Sequence, residues 1–294
     1  MYRVILVFLL LKSTFIIAQQ DEDTTATKHK KFHFGLYVGS YFANKNTASL
    51  YDGYGVDFDG NKNTFYNSFL YNKIVKEYSG INGQPDLIAQ ALNVNSGDWY
   101  FNESDMPVNM KYTPAFLFGV QGRYSMDDVN AILLNINASQ LTIAGNFTIT
   151  TTPLANSNQY AKNIHTFAIK GVEQRLMLQL GYQHLFGNNE KLKFLAEGGL
   201  NVTLAKFDKN EVLINSLLID LTSYYNSSLY NAYVIKRPIG FGFGAFAGLG
   251  VNLNLSDVWQ IQLLYNPSYE GVNIISNSSL KMQHAVGLRA YHLL

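Results

Sequence analysis

Val172-Glu173-Gln174-Arg175-Leu176-Met177-Leu178-Gln179-Leu180-Gly181-Tyr182-Gln183 is the stretch that decides the fold. Val172, Leu176, Leu178, Leu180 and Tyr182 share one parity, and Glu173, Arg175, Gln179 and Gln183 share the other. A period of two belongs to a strand whose faces meet different surroundings. Charges opposite a continuous greasy row fit a strand that separates lipid from a polar lumen. A soluble up-and-down barrel would keep its apolar face inside and its polar face outside. Gly187-Asn188-Asn189 then supplies a turn.

The same alternation recurs on both sides of this stretch. Upstream, Phe32, Phe34, Leu36, Val38 and Phe42 oppose His33, Gly35, Tyr37, Gly39 and Tyr41. Phe116, Phe118 and Val120 oppose Gly119, Gln121 and Arg123, and Ile132, Leu134 and Ile136 oppose Asn135 and Asn137. Downstream, Leu192, Phe194, Ala196, Leu200, Val202 and Leu204 oppose Lys193, Glu197, Asn201 and Thr203. A sixth strand sets Phe241, Phe243, Ala245, Ala247 and Leu249 against a glycine row, Gly240, Gly242, Gly244, Gly248 and Gly250. Trp259, Ile261, Leu263 and Tyr265 oppose Gln260 and Gln262, and Met282, Val286, Leu288 and Ala290 oppose Lys281, Gln283, Gly287, Arg289 and Tyr291.

Eight strands result, with short turns after the second, fourth and sixth and long connections after the others. That pattern predicts an all-β, eight-stranded antiparallel up-and-down transmembrane β-barrel over residues 31–294, with periplasmic termini and long extracellular loops. Phe32, Phe34, Tyr124, Tyr182, Phe194 and Trp259 then fall at one rim and Phe42, Phe241, Phe243 and Tyr265 at the other. Aromatic rings settle at both membrane interfaces.

Composition agrees. Of 294 residues 47% are hydrophobic but only 15% charged, and the net charge of +1 argues against a nucleic-acid surface. With no cysteine there is no disulfide, thiolate metal site or lipid-modified cysteine. Arg3, the apolar run Val4 to Leu11 and Ala18 read as a cleaved signal peptide over 1–18, followed by a periplasmic tail over 19–30. Lys12 leaves the run far short of the roughly 20 apolar residues that a transmembrane helix needs.

The opening Phe34-Gly35-Leu36-Tyr37-Val38-Gly39, the glycine-rich Gly242-Phe243-Gly244-Ala245-Phe246-Ala247-Gly248 and the closing Val286-Gly287-Leu288-Arg289-Ala290-Tyr291 resemble the PorT-like outer-membrane β-barrel proteins of Bacteroidota. The resemblance covers the strands and implies a home in protein secretion or outer-membrane protein assembly. In such bacteria Asp23-Thr24-Thr25 resembles a short O-glycosylation site at Thr24.

An eight-stranded barrel is just wide enough for side chains to fill it, so an open porin channel is not expected. Arg123, Glu173, Arg175, Lys193, Glu197, Lys281 and Arg289 form the expected lumen charge network, a structural plug. Function then falls to the loops, about 43–110 and 207–238, where Tyr51, Tyr54, Phe65, Tyr66, Trp99 and Tyr100 spread aromatic surface. Pro85 opens a short helix through Leu87, Ile88, Ala91 and Leu92. Leu213, Leu217, Leu218 and Leu221 have helical spacing, followed by Tyr224 and Tyr225, and this segment either caps the mouth or docks a partner.

No catalytic set is assembled by the sequence. His165 is the histidine nearest the loop end, and nothing orders a serine and an acid around it. Asp57, Asp59 and Asn61 give a weak calcium pattern, while Asp59-Gly60 is better read as a hairpin turn. The expectation is a barrel without enzyme activity or cofactor, in contact with outer-membrane lipid and with protein partners in a complex. The alternatives are a free-standing surface barrel binding an extracellular ligand through its aromatic loops and, third, a lipid-modifying enzyme.

Overall fold

The computed structural model describes residues 32–57, 61–77, 83–152, 162–226, 232–235, 238–274 and 279–293, and of 223–226 and 232–235 the backbone alone. The expected signal peptide, the tail with Thr24, and Asp59 lie outside the described residues. Eight strands close into a ring: β1 Phe32–Phe42, β2 Ala115–Ser125, β3 Asn130–Thr151, β4 Asn163–Phe186, β5 Leu192–Ile214, β6 Ile239–Asn254, β7 Trp259–Asn273 and β8 Lys281–Leu293. Every neighbouring pair is antiparallel, and β8 pairs with β1 from Leu293 opposite His33 to His284 opposite Phe42. Closure leaves the ring no free edge, which a lipid environment demands because it offers backbone groups no other partner.

Phe34, Leu36, Leu134, Leu178, Leu180, Leu249, Leu263 and Leu288 stand exposed on the outer wall, while the polar positions between them are buried. An exposed greasy belt round a polar interior is stable only where lipid surrounds it, so the fold is a transmembrane β-barrel. No helix among the described residues is long and apolar enough to cross a membrane.

β3, β4 and β5 run for 22, 24 and 23 residues, about twice the roughly 9–11 that one crossing needs. On these strands the outward apolar row stops at Ala138, Leu176 and Leu204. Beyond it the greasy residues move to the inner face: Leu141, Ile143, Phe147 and Ile149 on β3, Phe167 and Ile169 on β4. The sheet thus leaves the membrane and becomes one wall of a water-facing subdomain at the loop end.

On β5 a bulge makes this switch. Val172 pairs with Lys209 and Glu173 with Phe207, so Asp208 is left without a partner in the ladder. One extra residue reverses the parity beyond it, and Val212 and Ile214 join Phe207 inside.

The segment from Leu213 to Leu221 is a hairpin, which corrects the expected helix. β5 continues to Ile214, Asn215 turns with a φ of 51°, and Leu217–Asp220 pairs back, Leu213 opposite Leu218. Intervals of three and four residues suit one helix face, but Asn tolerates left-handed backbone and the β-branched Val212, Ile214 and Ile219 favour a pleated sheet. The loop expected over 207–238 therefore begins with strand. Of the first loop's described residues, Gln84–Leu92 form the expected helix with Pro85 in its first turn, and the final part, Val108–Tyr112, pairs with β3.

Candidate functional site

Three arginines and three glutamates lie buried in the barrel, so their formal charges cancel: Arg123, Arg175 and Arg289 with Glu173, Glu197 and Glu270. Arg289 Nη1 donates to Glu197 Oε2 at 2.8 Å and Nη2 to Oε1 at 3.1 Å, a two-pronged pair. Gln183 and Asn266 donate to the same carboxylate at 3.1 and 3.2 Å. Nearer the loop end, Arg175 Nε donates to Glu173 Oε1 at 2.6 Å. Its other nitrogens reach Tyr41 Oη at 3.0 Å and Thr47 Oγ1 at 3.1 Å. Buried charges persist only when paired and hydrogen-bonded, and these two pairs satisfy both conditions.

The remaining two charges are held differently. Glu270 accepts from Thr203 Oγ1 at 2.6 Å, from the Asn201 amide, and from Tyr41 Oη at 3.3 Å. Arg123 lies 4.9 Å from the Tyr291 ring centroid and 3.5 Å from His33 Nε2, and among the described residues no carboxylate lies within 4 Å of it. Of the expected network, Lys193 and Lys281 sit half-buried at the two ends and take no part in either pair. Glu270 escaped the sequence reading, which stopped its strand at Tyr265. The signal was present, since Asn266, Ser268 and Glu270 continue the inward parity through Pro267.

Between Tyr37, Tyr41, Gln121, Asn137, Gln179 and Arg289 a cavity of about 20 Å³ is left, room for about one water. Among the described residues, side chains fill this part of the lumen.

Above it the first loop folds inward as a cap. Tyr51 is fully buried, stacked on Phe207 with ring centroids 4.4 Å apart and planes at 2°. Its hydroxyl lies 3.3 Å from Glu173 Oε2, and Tyr112 donates to the same oxygen at 2.7 Å. Burial, reinforced by the Glu173 charge, pushes both phenols well above their ordinary range. Gly171 accommodates the Tyr51 ring, since a Cβ there would lie 2.2 Å from it. Phe65, Leu70, Ile74, Ile88, Phe101 and Met110 complete the apolar core between cap and sheet.

The expected loop residues therefore part company. Tyr51, Phe65 and Leu221 are core; Tyr54, Trp99, Tyr100 and Leu217 are half-buried; Tyr66, Leu213 and Leu218 are exposed. Tyr224 and Tyr225 lie on a short strand, Ser223–Asn226, whose side chains are outside the described residues. Asp57 Oδ1 accepts from the Asn61 N–H at 2.8 Å, and Asp59 and Gly60 of the expected turn lie outside the described residues. His165 Nε2 lies 3.0 Å from Thr151 Oγ1.

No family model and no curated protein matches the chain. Solved structures with similarity include Neisserial surface protein A, at 6% identity over 90% of this chain and 97% of that one, with a TM-score of 0.37. OprG from Pseudomonas aeruginosa gives 9% identity over 90% and 96%, with a TM-score of 0.40. Ail of Yersinia pestis gives 10% over 89% and 97%, with a TM-score of 0.34. Likenesses this distant carry no argument, and the fold rests on the chain's own closed strand pairing.

Proposed function

We propose that the protein is an integral outer-membrane barrel, with both termini in the periplasm and the loop end outside the cell. In this reading it neither conducts nor catalyses, and serves as an interaction or scaffold subunit of an outer-membrane assembly. The observation that carries the proposal is the sheet prolonged beyond the membrane belt, whose outer face sets Leu213 opposite Leu218, 46% and 61% exposed. Apolar surface held in water by an ordered sheet calls for a partner. The PorT-like resemblance points to secretion or barrel-assembly machinery as the setting. Binding of an extracellular ligand by aromatic loops is less well supported, because Tyr51 and Phe65 are used inside the cap.

Affinity capture from mild-detergent outer-membrane extracts tests it. Wild type is expected to bring down a reproducible partner that the Leu213→Glu, Leu218→Glu variant loses. Recovery of the wild-type protein alone would sink the subunit reading.

A further inference from the structure

A groove of about 560 Å³ crosses the outer wall of the barrel where the apolar belt ends. Its volume lies within the roughly 300–1,000 Å³ typical of ligand pockets. Phe116 and Ile239 bound it, and Leu176, Leu204 and the small Ala138 line it. Ala138 pairs with Phe118 on one side and Leu176 on the other, so a methyl group stands between larger side chains and leaves a notch.

The strand register orders the chemistry of the groove. Ala138, Leu176, Leu204 and Phe241 form one rung of Cα partners across four strands. One outward-facing step nearer the loop end, Gln140, Gln174, Lys206 and Ile239 form the next. The groove thus opens in the greasy belt and finishes on two amides and an ammonium. Lys206 is exposed and, among the described residues, has no carboxylate within 4 Å. The neighbouring Asp208 accepts from Gln174 Nε2 at 3.2 Å.

Apolar space lined by Ala138, Leu176 and Leu204, below the hydrogen-bonding and cationic groups of Gln140, Gln174 and Lys206, matches an amphiphile lying in the leaflet. We propose that the groove seats one acyl chain of a phosphorylated glycolipid in the leaflet at the loop end. Its phosphate rests on Lys206 and its sugar hydroxyls on the amides of Gln140 and Gln174. Amides pair with hydroxyls and an ammonium with phosphate, which favours this lipid over one with a small zwitterionic headgroup. The inference rests on the outer-membrane reading above.

Native mass spectrometry of the full chain in non-ionic detergent tests it, with three added lipids: a diphosphorylated acylated disaccharide, its dephosphorylated form, and phosphatidylethanolamine. One copy of the first is expected to be retained by wild type. Removing its phosphates, or introducing Lys206→Gln, should each weaken retention about tenfold, the scale of one charge-assisted contact. In Lys206→Gln the phosphates should no longer matter. Ala138→Phe, an outward substitution, should fill the notch and lower retention comparably. Equal retention of all three lipids, preference for phosphatidylethanolamine, or variants that bind like wild type would overturn the proposal. Heat-sensitive migration on gels and insertion into vesicles are scored in parallel. Failure to insert tells against the membrane reading, whereas insertion without retention overturns the groove alone.

Discussion

Gly248 stands opposite Glu197 across β6 and β5, and a Cβ built at Gly248 would lie 2.6 Å from Glu197 Cγ. The missing side chain is the space the carboxylate crosses to reach Arg289. Gly244 stands opposite Glu270 in the same way, and a methyl group there would lie 2.2 Å from the Tyr269 carbonyl oxygen and 2.6 Å from Glu270 Cβ. At these two positions of the glycine row an absent side chain on β6 leaves room for an acid on a neighbouring strand, whereas Gly240 and Gly250 give close approach to neighbouring backbone.

Gly248→Ala should cost about 1–3 kcal/mol, the ordinary penalty of overpacking a tight interior. Urea unfolding of the refolded barrel in micelles, followed by tryptophan fluorescence, reads it as a lower midpoint. An unchanged midpoint would mean that Glu197 moves aside freely.

Glu197→Ala leaves Arg289 buried beside amides, and breaking a buried pair from one side costs about 3–5 kcal/mol. Replacing both partners with apolar residues, Glu197→Leu with Arg289→Met, should be much less harmful than the single change, because no stranded charge remains. If the double variant is the less stable of the two in the same urea assay, the pair stabilises the barrel beyond satisfying its own charges.

The filled lumen predicts no conductance steps for the wild-type protein in planar bilayers. Truncating Arg289, Glu197 and Gln262 together to alanine should open a water path and produce small steps. Wild-type steps of porin size would contradict the packing around the 20 Å³ cavity.

Tyr51 links cap and lumen, and its hydroxyl has a folded pKa held above the unfolded value of about 10. The sign follows from linkage. A raised pKa contributes stability that is fully present below about pH 10 and is lost as the pH rises beyond it, because only the unfolded chain releases the proton. Tyr51→Phe should thus be less stable than wild type at pH 8 by about 1 kcal/mol, one hydrogen bond, with the gap closing between about pH 10 and 11. Paired urea titrations at the two pH values check this. A constant gap would show that the hydroxyl ionises as readily in the folded state.

The barrel was legible because lipid and lumen impose opposite polarity at a period of two, and every crossing strand carries that signature. The subdomain was less so. On β3 the greasy residues shift from the even positions Ile132, Leu134 and Ile136 to the odd positions Leu141, Ile143, Phe147 and Ile149. A reader following one parity sees the pattern fail there, although the strand continues into water with its apolar face turned inward. Glu270 was lost behind Pro267 for a related reason, since a proline argues against strand. The lipid groove lay beyond sequence reasoning because it depends on which outward residues become neighbours across five strands.

Inserting one alanine between Lys209 and Asn210 tests the switch directly. The bulge is what turns Val212 and Ile214 inward; one more residue beyond it would shift the alternation by one, set both outward and bring Leu213 inside. Two core side chains would be exchanged for one, and Ile219 and Leu221 of the hairpin would lose their packing partners. The β1–β8 belt is built from residues on the other side of the bulge and should be untouched. Limited proteolysis is expected to cut the variant rapidly between about residues 43 and 110 and between 208 and 222, while the heat-sensitive gel shift of the folded barrel persists. Loss of the gel shift as well would mean that cap and barrel fold as one cooperative unit, and protection equal to wild type would mean that the ladder absorbs the added residue in the bulge and keeps its register.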